Sequence, residues 1–243
     1  MRLDKYLREC GFGSRKEIKQ LVKNGVVTKN GIAVFDEAMQ IQEMHDQMAV
    51  DGEAVLYQKY VYLMLHKPAG YISANDDKRH ATVFDLVPEY RHRDLFCVGR
   101  LDIDTEGLLL LCDDGPLAHR LLSPKHHVPK QYEVHLRDPI SDEDLARLEA
   151  GIALADGEQC MPAKTWRYSS TQVKLEIYEG KFHQVKRMFH QVDNEVIYLK
   201  RVQMGTLVLD SSLAKGMYRQ LTKQELMDLT GTGKDIQQHP FMI

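Results

Sequence analysis

Two apolar runs, Phe96-Cys97-Val98 and Leu108-Leu109-Leu110-Leu111, enclose three acids at alternate positions, Asp102, Asp104 and Glu106. No other feature restricts the fold as much. Both runs read as buried strands. Charged side chains rarely lie between two core segments unless they are paired, hold a metal or face a cleft. Gly99 and Gly107 stand at the margins, where glycine lets the backbone bend tightly or approach a ligand closely.

The remaining sequence is that of an ordinary globular protein. Its 243 residues suffice for one large domain or two smaller ones, and 43% hydrophobic with 28% charged residues is a typical balance. No apolar run approaches the roughly 18 residues of a membrane span. Arg2, Asp4, Lys5 and Arg8 occupy the N-terminus, so no secretory leader is expected. Cys10, Cys97, Cys112 and Cys160 are scattered without CxxC spacing, which predicts a reduced, cytoplasmic protein. The net charge of -3 hides an asymmetry. Residues 1–31 carry eight Lys/Arg against three acids, a net of +5, and residues 32–58 carry six acids and no Lys or Arg. A basic head beside an acidic segment suggests an anionic partner.

Ser14 and Glu17 form a capping box ahead of Ile18, Leu21 and Val22 at helical spacing, and Asn24-Gly25 closes that helix. Val26-Val27-Thr28, Asn30-Gly31 and Ile32-Ala33-Val34 read as a tight hairpin. Lys16, Lys19 and Lys23 share one helix face, either as a solvated surface or as phosphate contacts. A boundary is expected near residue 58. Beyond it, strands are predicted at 61–65, 131–136 and 173–177, and helices at 116–122, from Ser141 to Gly151, at 182–192 and after Thr222. Helices interspersed with strands, without a βαβ rhythm, predict an α+β fold around a mixed sheet. The tail 232–243 is expected to be loosely held.

The three acids admit several chemistries. Asp102, Asp104 and Glu106-Gly107 imitate the start of a calcium loop, but leucines fill its second half and Asp113 stands where Glu is needed. His126, His127 and His183 lack the spacing of zinc ligands. Paired carboxylates could serve glycoside chemistry. In the blandest alternative, Asp102 merely pairs with Arg100 or another cation.

Two resemblances bear on this choice. Arg2-Leu3-Asp4-Lys5-Tyr6-Leu7, Ser14-Arg15-Lys16 and Val26-Val27-Thr28-Lys29-Asn30-Gly31 resemble the alpha-L RNA-binding domain. This implies structured RNA as partner, with Arg2, Lys5, Arg15, Lys16, Lys19 and Lys23 as the RNA-binding cations. Gly99-Arg100-Leu101-Asp102-Ile103-Asp104-Thr105-Glu106-Gly107-Leu108 resembles the signature segment of RNA pseudouridine synthases, which puts that family's catalytic aspartate on Asp102. Lys67-Pro68-Ala69-Gly70 resembles the first motif of that family, and Lys130-Gln131-Tyr132 the segment whose aromatic stacks on the target base. Residues 179–188 resemble the third motif, which supplies a cation to the aspartate, here Lys186 or Arg187. Ser123-Pro124-Lys125-His126-His127 and 183–189 look most like the RsuA branch, which acts on small-subunit ribosomal RNA.

The alpha-L resemblance covers residues 1 to about 50 and the synthase motifs 61 to 226, so with the boundary near 58 an alpha-L domain is expected over 1–58 and a synthase domain over 59–231, the latter a mixed, mainly antiparallel sheet with flanking helices. The resemblance implies a uridine of ribosomal RNA, most simply 16S, as substrate, either naked or in a small-subunit assembly intermediate, and a monomeric enzyme. A large-subunit substrate and a non-catalytic ribosome-assembly protein are the alternatives. Asp102, Lys186 and Arg187 are the expected catalytic residues, with Arg100, Tyr132, Gly107 and Lys67 binding substrate. The isomerisation is redox-neutral, so neither cofactor nor metal is expected.

Overall fold

The computed structural model describes residues 1–43 and 45–231, so the tail expected to be loose lies outside the described residues. The chain forms two compact units. Among the described residues, Met1–Val61 and Pro88–Leu95 make the first, and Tyr62–Val87 with 96–231 makes the second. The units part at Val61–Tyr62, where a boundary near residue 58 was expected, and Pro88–Leu95 groups with the first unit. There the guanidinium of Arg93 donates to the carbonyls of Glu9, Gln58 and Lys59 within the first unit.

In the first unit, α1 (Leu3–Glu9) and α2 (Arg15–Lys23) pack on a four-stranded sheet of order β2-β1-β3-β4. These strands are β1 (Val27–Lys29), β2 (Ile32–Ala33), β3 (Met48–Val50) and β4 (Glu53–Val55). The Ser14–Glu17 capping box forms in both directions, contributing about 1 kcal/mol to helix start. Asn30 and Gly31 both take positive φ, as the tight hairpin requires. Leu3, Tyr6, Leu7, Ile18, Val22 and Val27 form the core, and their burial turns the charged face of α2 outward.

The second unit is an α+β layer built on a nine-stranded sheet. Its strands are β5 (Tyr62–Lys67), β6 (Phe96–Val98), β7 (Glu106–Cys112), β8 (Lys130–Leu136), β9 (Lys164–Arg167), β10 (Gln172–Ile177), β11 (Val196–Met204), β12 (Leu207–Val208) and β13 (Tyr218–Gln220). The order is β13-β5-β7-β11-β8-β10-β9, with β6 paired to β7 and β12 to β11. β5 and β7 are buried along their whole length, as continuous apolar runs demand. β8 instead alternates buried and half-exposed residues. The flanking helices are α3 (Gly115–Leu122), α4 (Asp142–Ala150), α5 (Gln184–His190) and α6 (Lys223–Thr230). Asp114, Ser141 and Thr222 cap α3, α4 and α6.

Among the described strands one pairing is parallel, β7 with β11, and Gly107 sits opposite Arg201 in it. Gly107 has φ +104°, and a Cβ there would lie 2.2 Å from the Arg201 carbonyl oxygen and 2.8 Å from its nitrogen. Glycine is needed here for close approach of two backbones. Gly107, expected as a substrate contact, is packed against the backbone of β11.

Candidate active site

β6 and β7 run antiparallel, Val98 opposite Leu110, and residues 99–105 bridge them as a loop carrying Asp102. This loop is held from beneath. Lys67, at the end of β5, is fully buried, and its ammonium donates to the carbonyls of Pro68 (3.1 Å), Asp102 (3.0 Å), Ile103 (3.3 Å) and Thr105 (2.8 Å). Burial pushes Lys67 down to about 8, and Asp104, Asp102 and Glu106 oppose the fall. Lys67, expected as a substrate contact, thus fixes the loop that carries the carboxylate. The Ser73 hydroxyl donates to the Leu101 carbonyl and accepts from its N–H, and the Gly70 N–H donates to the Ile103 carbonyl.

Above the loop lies a cavity of about 730 Å³, a size suited to a small organic ligand. Gly99, Arg100, Leu101, Asp102 and Ile103 line one side, Lys130 and Tyr132 of β8 and Arg201 of β11 another, and residues 177–185 a third. Asp102 keeps 27% of its side chain exposed, so it is sheltered yet reachable. Lys186, on the first turn of α5, places its ammonium 3.2 Å from Asp102 Oδ2 and 2.5 Å from Asp104 Oδ1. Burial disfavours both charged forms, yet the pairing outweighs it, leaving Lys186 above its ordinary value and Asp104 below.

Arg187 points elsewhere, to Asp156 (2.5 Å) and Glu158 (3.1 Å). Of the two cations expected from the third motif, only Lys186 meets Asp102. Arg100 is exposed and has no salt bridge among the described residues. Tyr132 is both a half-buried-strand residue, 7% exposed, and part of the cavity wall.

Two neighbours escaped the sequence reading as site residues. His183 Nε2 stands 3.6 Å from Asp102 Oδ1, on a residue in the left-handed region at φ 46°. Phe182 stacks on it with ring centroids 3.8 Å apart, while 75% exposed beside the cavity. Such an exposed aromatic in the third motif was the available signal. Of the basic N-terminal residues, Arg2 pairs with Asp4, Lys5 with Glu9 and Lys19 with Glu37. Arg15, Lys16 and Lys23 are exposed and form no salt bridge among the described residues.

A sheltered carboxylate beside an ammonium and an aromatic wall, in a chain whose second N-terminal helix presents exposed cations, suits an enzyme that acts on nucleic acid. Residues 61–191 match the RNA pseudouridylate synthase family and residues 1–46 match the S4 domain, so the chain belongs to the RNA pseudouridine synthases that carry an S4 module. It is 50% identical to the uncharacterized RNA pseudouridine synthase YtzG of Bacillus subtilis, over 93% of this chain and 97% of the relative. It is 40% identical to ribosomal small subunit pseudouridine synthase A of Escherichia coli, over 93% of this chain and 98% of the relative. A crystal structure of a pseudouridylate synthase superposes with a TM-score of 0.68 at 38% identity, covering 94% of this chain and 99% of that one.

Proposed function

We propose that this enzyme isomerises one uridine of small-subunit ribosomal RNA to pseudouridine, with the carboxylate of Asp102 as nucleophile. The observation that carries the reading is that Asp102, paired with Lys186, lines a cavity together with Tyr132. The substrate class is supported by the likeness to small subunit pseudouridine synthase A along nearly the whole chain.

In the reaction the N1–C1′ bond breaks, the uracil turns, and a C5–C1′ bond forms. C5 loses a proton and N1 gains one, so composition is unchanged. Lys186 supplies the counter-charge that lets a carboxylate remain anionic in a water-poor cleft. The target base must first leave its stack, at a cost of a few kcal/mol. Stacking on Tyr132 returns about 1–3 kcal/mol of this. The stacked Phe182–His183 pair offers an outer flat face to a flanking base. Arg15, Lys16 and Lys23 hold RNA phosphates and set register rather than chemistry.

Asp102→Asn tests the reading. Pseudouridine should vanish from 16S RNA, supplied naked or as an assembly intermediate, while RNA affinity and thermal stability stay near wild type. A variant that still makes pseudouridine sinks the nucleophile assignment. Modification confined to large-subunit RNA sinks the substrate.

A further inference from the structure

Arg201 presents an unusual electrostatic situation. It lies in the middle of β11, 1% exposed, yet among the described residues no carboxylate comes within salt-bridge distance of it. Its Nε donates to the Leu108 carbonyl at 2.8 Å. Its Nη2 is buried and finds no hydrogen-bond partner among the described residues. Nη1 lies 3.8 Å from where a Cβ on Gly99 would stand, so the guanidinium reaches the root of the Asp102 loop. Tyr132 is its cross-strand partner on β8, which puts the two side chains next to each other on one face of the sheet. Both line the cavity.

Nearby acids do not compensate it. Asp102 and Asp104 are matched to Lys186. Glu179 accepts from the Met161 N–H and from Gln184, and lies 3.7 Å from Lys181. The remaining buried ionic group on this wall, Lys130, is another cation. Its ammonium donates to the Val128 carbonyl at 3.0 Å, and burial first and Arg201 second depress it to about 8. An unpaired buried guanidinium with a free N–H is costly and calls for an explanation in function. Arg201 lines the cavity but its free N–H is covered in this structure, so an oxygen that becomes negative there meets the guanidinium only once a seated base shifts the side chains over it.

Two oxygens of a nucleotide could answer: a backbone phosphate or a uracil carbonyl. The chain continues on both sides of the target, so its phosphates stay at the surface where Arg100 is exposed. What enters deeply beside Tyr132 is the base. When N1–C1′ breaks, its electron pair remains on the ring, spread over N1, O2 and O4, until C5 uses it to bond C1′. Addition of Asp102 to the ring likewise loads negative charge onto its oxygens.

We propose that Arg201 is a catalytic residue whose guanidinium donates to a carbonyl oxygen of the flipped uracil and stabilises the negative charge that ring carries while detached or activated. This rests on the proposed uridine isomerisation. Preorganised donors aimed at developing charge are worth about 10²- to 10³-fold in rate.

The test is single-turnover pseudouridine formation by full-length enzyme on a 16S RNA fragment, comparing wild type, Asp102→Asn, Arg201→Met and Arg201→Lys, with RNA affinity measured alongside. Arg201→Met should slow the reaction about 10²- to 10³-fold at saturating enzyme with RNA affinity unchanged, and Arg201→Lys should retain part of the rate. A second substrate carries 5-fluorouridine at the target, whose ring stabilises its own anion. On it, the Arg201→Met loss of N1–C1′ cleavage should be at least about tenfold smaller. A purely structural defect slows both substrates alike, and that result overturns the proposal. So does a wild-type rate, or weakened RNA affinity with an unchanged saturated rate, which would mark a phosphate contact. If Arg201→Met does not fold, the same comparison of substrates in Arg201→Lys decides. Wild-type enzyme that forms no pseudouridine, or an active Asp102→Asn, instead refutes the underlying function.

Discussion

Replacing Lys186 with Met should remove most of the activity, whereas replacing its neighbour Arg187 should not. The magnitude follows from the geometry. At 3.2 Å, the Lys186–Asp102 pair attracts by about 5 kcal/mol at an effective dielectric of about 20. Both side chains keep about a quarter of their surface in solvent, 26% and 27%, which screens the pair, and Asp104 shares the ammonium. A loss of about 2–3 kcal/mol of transition-state stabilisation remains, or roughly 30- to 150-fold in rate. Arg187 binds Asp156 and Glu158, so Arg187→Met should stay within about threefold of wild type, with a melting temperature a few degrees lower at about 1 kcal/mol of lost stability. The assay is single-turnover pseudouridine formation on a 16S fragment, with melting temperature and RNA affinity as controls. Lys186→Arg should recover much of the rate. A fully active Lys186→Met, or an Arg187→Met as impaired as Lys186→Met, refutes the assignment of Lys186 as the partner of Asp102.

Other expectations concern the framework and the RNA surface. Gly107→Ala should destabilise the protein by more than about 3 kcal/mol in urea unfolding, because it adds a positive-φ penalty to a 2.2 Å clash with backbone; a change under about 1 kcal/mol contradicts the close strand contact. Lys16→Ala with Lys23→Ala should reduce the salt dependence of RNA binding by about 1.5 in log–log slope, and an unchanged slope moves the RNA surface elsewhere. Lys130 bears on pH. Its folded value of about 8 lies below the unfolded 10.5, so the unfolded chain binds the extra proton between those limits. Its contribution is full above pH 10.5 and is lost as pH falls through about 8, at up to about 1.4 kcal/mol per pH unit. Lys130→Met should therefore flatten the rise of unfolding free energy between pH 8 and 10.5, and an equally steep rise in the variant rejects this.

Much of the architecture was legible because it rests on local rules. The capping box at Ser14, the helix start after Thr222, the Asn30-Gly31 hairpin and the strands flanking Asp102 are short-range patterns that the structure realises. What escaped depends on distant pairing. Arg201 becomes a buried wall of the cavity because β11 lies parallel to β7 across about ninety residues, which no local period announces. Lys67 looks like a surface lysine beside a turn until four carbonyls from two segments converge on its ammonium. Lys186 and Arg187 are adjacent in sequence, and the helical twist between successive residues sends them to different acids.

The four carbonyls gathered by Lys67 leave the Asp102 segment prefolded before any polynucleotide arrives. On the proposed function, a loop braced in this way leaves the RNA as the partner that must deform on docking. Discrimination among uridines is then expected to follow how cheaply each one swings out of its own helix. A uridine in a hairpin loop or junction meets that demand more readily than one locked in a continuous duplex.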